Sequence, residues 1–204
     1  MDTQMGVSVV RSAGFAHISR YLSTSPAEQT TLQVLHKEKL SKMVLDACIE
    51  MTQRGASSIF LYCNSLAGSV DMESIRRHLS VRIITPLDVY HLLARRHRKI
   101  AVMAANCQGL AAIELSIQGS NPSCAIYGSA TLQLVEAIEA GVAPDEIMDR
   151  LCVRELVQAL CKMGGEVLVL GCTHFPYLLS HIEAAATLPV IDPTHTMLSI
   201  IEQA

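Results

Sequence analysis

The sequence predicts an α/β protein of two similar half-domains with parallel sheets, related by pseudo-two-fold symmetry, with the active site in the cleft between them. Three observations predict it. Short apolar bursts alternate with longer stretches of helical period, which is the pattern of βαβ units and a parallel sheet. The stretch Ala47–Ala94 lines up with Leu156–Ile201 as an internal repeat. Each copy also sets one cysteine, Cys63 or Cys172, directly after an apolar burst and before a helical stretch.

Taken in order, the bursts predict strands at Met5–Val10, Ser58–Tyr62, Val81–Thr85, Lys99–Ala104, Val167–Gly171 and Pro189–Ile191. Helical period covers Thr31–Arg54, Ser69–Leu79, Leu87–Arg96, Leu110–Gln118, Ser129–Glu139, Pro144–Met163, Tyr177–Ala186 and Thr196–Gln203. In the first copy CIEMTQRGASSIFLYC runs into NSLAGSV, VRIITP and LDVYHLLA; in the second LCKMGGEVLVLGC runs into THFPYLL, LPVIDP and THTMLSII. Both read helix, Gly turn, strand, Cys, helix, strand, Pro, helix. An opening strand is expected ahead of each, in MGVSVVRSAG and KIAVMAANCQG. The first half-domain is therefore placed at residues 1–95, with segment 190–204 as a candidate addition to it, and the second at 96–204.

The chain of 204 residues is 50% hydrophobic, enough to bury a substantial core. A net charge of −3 with His neutral and the absence of a dense Lys/Arg run exclude nucleic acid and an anionic membrane as first partners. No apolar stretch approaches the roughly 20 residues of a membrane helix, and Met1–Val10 does not read as a signal peptide. Seven scattered cysteines without CxxC or Cys/His zinc spacing fit free thiols and no metal, and a cytoplasmic protein is expected.

Ligands of open parallel sheets bind beyond the carboxyl ends of the strands, where both cysteines are expected. Backbone N–H groups at such a turn favour negative charge, so the position suits a thiolate or a substrate carboxylate. Asn64, Ser65 and Thr173 add short polar side chains beside the thiols. Inverting a stereocentre needs one group to remove a proton from carbon and a second to return one on the opposite face. Two cysteines from two related halves supply that pair. A lone cysteine at a strand end is more often a small core hydrophobe, and it is their equivalence in the repeat that favours chemistry. Cys48, Cys152 and Cys161 read as helix packing, and Cys107 as a residue that could line the cleft.

LVLGCTHFPYLL at Leu168–Leu179 and LYCNSLAGSV at Leu61–Val70 resemble the two cysteine signatures of the cofactor-independent aspartate/glutamate racemase family, and most of all those of its glutamate racemases. RSAG at Arg11–Gly14, VRIITP, KIAVMAAN and VIDPTHT fall in the family's order. The resemblance implies 1,1-proton transfer at the α-carbon of an acidic amino acid, glutamate or aspartate, with no pyridoxal phosphate or other cofactor. It assigns Cys63 to the D-enantiomer and Cys172 to the L-enantiomer, with His174 assisting Cys172. Ser12, Asn64, Ser65, Asn106 and Thr173 become candidate substrate ligands, and a homodimer is the assembly to consider.

The sequence also departs from the family. Arg11 stands where glutamate racemases carry an Asp that is thought to support the first cysteine; a cation cannot accept a proton, although it can pair with a substrate carboxylate or favour a thiolate. Ala105 and Gln108 replace threonines, and LSTSPAEQ at Leu22–Gln29 stands near the place of a tyrosine-glycine substrate segment. Two alternatives follow: a racemase or isomerase of the same fold acting on another carboxylate or a hydantoin, and a non-catalytic carboxylate-binding relative.

Overall fold

A computed structural model describes residues 2–23 and 26–202. Thr24 and Ser25 of the LSTSPAEQ segment and Gln203 of the last expected helix lie outside the described residues. The chain divides into two compact units, Met1–Asp88 with Thr194–Ala204, and Val89–Pro193.

The first unit opens with helix α1, Asp2–Ser12, where a strand over Met5–Val10 was expected. Val7 and Val9 alternate as a strand would, yet Thr3, Gly6, Val7 and Val10 also fall at helical spacing. Packing decides the matter. Gly6 rests against Tyr62, where a Cβ would come within 3.2 Å of the tyrosine Cβ. The RSAG motif is the close of this helix. Gly14 N–H donates to Arg11 C=O at 2.9 Å and Phe15 N–H to Val10 C=O at 3.0 Å, with Gly14 at φ +84°. That is a Schellman cap, which favours glycine at the left-handed position.

Helix α2, Pro26–Leu35, and α3, Lys37–Gln53, break at His36 the single helix expected over Thr31–Arg54. Leu40, Val44, Ala47 and Cys48 line the buried stripe of α3. Strand β1, Ser58–Phe60, then leads through Leu61 and Tyr62 to Cys63 and α4, Asn64–Ser69. Helix α5, Met72–Arg77, is separate because Asp71 caps it, accepting the Ser74 N–H at 2.8 Å. Strand β2, Arg82–Ile84, pairs parallel with β1, with Ile59 opposite Ile83. Helix α6, Pro86–Arg96, follows, and the boundary between the units falls within it. Val44, Cys48, Ile59, Leu61, Cys63, Ala67, Ile75 and Ile83 form the core of this unit.

The second unit contains β3 (Lys99–Ala104), α7 (Cys107–Ser120), β4 (Ala125–Ala130), α8 (Leu132–Glu139), α9 (Pro144–Arg150), α10 (Val153–Lys162) and β5 (Val167–Gly171). A 3₁₀ turn at Phe175–Leu178, α11 (Leu179–Ala185) and β6 (Val190–Ile191) follow; α12 (Pro193–Glu202) returns the chain to the first unit. The sheet is parallel throughout, in the order β4-β3-β5-β6. Every residue of β5 is buried, as a central strand covered on both faces requires.

Strand β4 went unpredicted, and the helix expected from Ser129 starts at Leu132 instead. Ala125–Ala130 is an edge strand, only half-buried, whose second half Gly128–Ala130 is small and offers little apolar signal after Ile126 and Tyr127. The helix expected over Pro144–Met163 is broken at Cys152, a non-glycine residue at φ +50°.

Gly171 is the last residue before Cys172 and has no room for a side chain. A Cβ there would lie 2.5 Å from Ile113 Cδ1 and 2.9 Å from the backbone oxygen of Met103. The oxygen belongs to the neighbouring strand and cannot swing aside. Gly171→Ala is expected to destabilise the protein by about 1–3 kcal/mol. An unchanged urea midpoint would contradict this packing.

Cys48 is buried on α3, and burial pushes its thiol up from the ordinary 9.0 to about 11. A thiol with a raised folded-state pKa contributes stability that is fully present below 9.0 and is lost as the pH rises through about 11. The expected loss is about 2–3 kcal/mol. Urea titrations across that window should show it, and the drop should shrink in Cys48→Ala. An equal drop in the variant would refute the assignment.

Candidate active site

Cys172, Thr173 and His174 follow β5 and are all buried. Phe175 and Leu178 of the 3₁₀ turn are fully buried and pin this short loop to the core. His174 backbone N–H donates to Cys172 Sγ at 3.5 Å, while the imidazole Nδ1 lies 3.6 Å from the same sulfur. On the other side of the ring, Nε2 is 3.1 Å from Glu139 Oε1. A carboxylate accepts, so in the neutral ring the tautomer protonated on Nε2 fits this contact and turns Nδ1 to the thiol as an acceptor. The relay can take the thiol proton and stabilise the imidazolium that forms.

Glu139 is the residue that reading the sequence missed. It ends α8, 35 positions before His174. No short motif links the two, and only the docking of α8 beside the β5 loop brings them together.

Asn106 lies just past β3, whose Ala104 is in register with Gly171 of β5. It therefore shares the carboxyl edge of the sheet with Cys172. Its side chain caps α7, accepting the Gly109 N–H at 2.8 Å.

In the first unit, Cys63 stands between β1 and α4 and is buried with Asn64. Its sulfur lies 3.5 Å from Gln29 Nε2 and 3.6 Å from Ser65 Oγ. Gln33 Nε2 donates to Ser65 Oγ at 3.1 Å. Cys63 and Gln29 also line a cavity of about 480 Å³ together with Val10, Phe15, Leu22 and Leu32. Gln29 and Gln33 were not singled out from sequence; their spacing of one helical turn on α2 was the available signal. Arg11 and Ser12 stand exposed in the last turn of α1, outside the lining of that cavity. The seven cysteines are free thiols.

Residues 89–200, more than half of the chain, match the Asp/Glu/hydantoin racemase family. The chain belongs to that family. Its relatives include a glutamate racemase of Deinococcus radiodurans, 26% identical over 152 residues, covering 72% of this chain and 52% of the relative. Among solved structures, an allantoin racemase from Pseudomonas fluorescens superposes with a TM-score of 0.72 at 18% identity, over 98% of this chain and 84% of that one. A glutamate racemase from Thermus thermophilus gives 0.69 at 16% identity, over 100% and 77%. These likenesses establish the two-domain α/β fold for this racemase family member. The chain spans about half the length of the curated relatives it matches. Among the described residues, no helix is long and apolar enough to cross a membrane.

Proposed function

We propose that this family member is an amino-acid racemase that works without pyridoxal phosphate and uses Cys63 and Cys172 as its two acid–base groups. The observation that carries the reading is the Cys172–His174–Glu139 relay, set at the carboxyl edge of a parallel sheet in a chain of racemase ancestry. A buried thiol that only packed would have no use for a histidine oriented by a carboxylate.

In this reading one sulfur, as thiolate, takes the α-proton and the electron pair stays on the substrate carbon. The thiol on the opposite face then delivers its own proton to that carbon. The product is the other enantiomer, with the protonation states of the two sulfurs exchanged. In the direction that starts at Cys172, His174 accepts the thiol proton beforehand and Glu139 stabilises the resulting charge. Asn64, Ser65, Asn106 and Thr173 are the candidate ligands of the substrate's carboxylates and ammonium; Arg11 and Ser12 remain candidates on α1.

An acidic amino acid is the favoured substrate, because the curated relatives are named glutamate racemases. The family description extends to hydantoins and one similar fold is an allantoin racemase, so the cyclic ureides form the second substrate class. The test is chiral chromatography of glutamate, aspartate and hydantoin enantiomers incubated in D₂O. Racemisation accompanied by α-deuterium incorporation is the expected result. Binding of these compounds with neither racemisation nor exchange would leave a carboxylate-binding protein in place of an enzyme.

A further inference from the structure

Cys172 Sγ receives the His174 backbone N–H at 3.5 Å and faces a ring nitrogen at 3.6 Å. Cys63 Sγ faces a side-chain amide instead.

The direction of each bond follows from its neighbours. Ser23 Oγ donates to Gln29 Oε1 at 3.4 Å, which turns the amide so that Nε2 faces Cys63 Sγ at 3.5 Å. An amide N–H only donates. One turn along α2, the buried Gln33 donates its Nε2 to Ser65 Oγ at 3.1 Å. Ser65 Oγ lies 3.6 Å from Cys63 Sγ, where its hydroxyl can donate to a thiolate. Hydrogen bonds to the charged form favour it, so this arrangement holds a thiolate.

We propose that Gln29 is a positioning residue that stabilises Cys63 as a thiolate, the form in which it takes the α-proton of the D-enantiomer. This rests on the racemase reading above, and it assigns the two halves different duties. With the D-enantiomer, Cys63 begins charged beside the Gln29 donor, and Cys172, with His174 and Glu139 behind it, delivers the proton. Neither an amide nor a hydroxyl accepts a proton from a thiol at neutral pH.

The surroundings agree with a negative sulfur. The described residues lining the cavity include no Asp or Glu, whereas His17, Arg20 and Arg54 all line it. Arg20 and Arg54 are tied to Glu50 at 3.3 and 3.4 Å. Tyr21 and Tyr62 line it too, as does Cys48, whose thiol burial keeps protonated. Exposed Glu28 is the neighbour of Gln29 on α2. These groups are common to wild type and variants, so a difference between them reports on Gln29.

The test is the pH dependence of Cys63 alkylation by iodoacetamide in the 204-residue chain, read by mass spectrometry of the Cys63 peptide. In Gln29→Met, which keeps the length and removes the donor, the midpoint should rise by about one pH unit and alkylation near neutrality should slow about tenfold. In Gln29→Glu, nearly the same shape, a carboxylate beside the sulfur should raise the midpoint further. The Cys172 peptide in the same samples should keep its wild-type profile. A Gln29→Met profile for Cys63 that superimposes on wild type overturns the proposal. If Gln29→Met does not fold, Gln29→Glu decides, and an unmoved or lowered midpoint overturns the proposal. Failure of the racemase reading would appear separately, as wild-type protein with no α-proton exchange.

Discussion

Serine at either thiol position is expected to lower racemisation by about 10²–10⁴-fold, the usual contribution of a general acid–base group. A hydroxyl is far less acidic than a thiol, so it neither holds a negative charge before the reaction nor returns a proton readily. Loss of one sulfur removes proton abstraction in one direction and proton delivery in the other. Cys63→Ser and Cys172→Ser should therefore be equally poor racemases and still differ in what they exchange. Each retains a thiol on one face of the substrate, which can remove and return a proton on that side. In D₂O, Cys63→Ser should label the L-enantiomer without inverting it, and Cys172→Ser the D-enantiomer. Chiral separation with mass detection gives label and configuration together. Racemisation at the wild-type rate in either variant would remove that sulfur from the mechanism. Exchange of both enantiomers by one variant would show a base that is not a cysteine.

The second unit was the more legible in sequence, for a physical reason. Strand β5 is a continuous apolar run buried on both faces, so Val167–Gly171 carries its environment in its composition. The Cys63 and Cys172 turns were legible through repetition, because each follows a strand and precedes a helix. Met5–Val10 satisfies both periods, and its choice of helix depends on Tyr62, more than 50 residues away. Strand β4 lies half-buried at a sheet edge, where burial imposes little pattern. The partners of the thiols were the least legible part. Glu139 reaches His174 only once α8 has docked, and Gln29 reaches Cys63 from a helix 34 positions earlier. Tertiary contacts of this kind leave no periodicity to read.

The relay behind Cys172 makes the most asymmetric prediction. His174→Gln should lower kcat by about 10²-fold, and Glu139→Gln, which leaves the imidazole but removes the carboxylate that orients it, by about tenfold. A simple comparison of kcat/KM cannot reveal on which face the loss occurs. Enantiomers have equal free energy, so kcat/KM must remain equal in the two directions whatever the substitution does. The asymmetry has to be sought in the isotope effects. If Cys172 becomes the slow acid–base group, its proton transfer limits the rate in both directions, but it acts on the substrate's own α-hydrogen only when the L-enantiomer is the substrate. From the D-enantiomer, the substrate's hydrogen leaves to Cys63 in the faster step, and Cys172 delivers a proton of its own. Glu139→Gln should thus show a larger primary isotope effect with α-deuterated L-substrate than with α-deuterated D-substrate, and a larger solvent isotope effect from the D side. Equal isotope effects from both sides, alongside a tenfold loss, would assign His174 and Glu139 to holding the loop in place instead of moving the Cys172 proton.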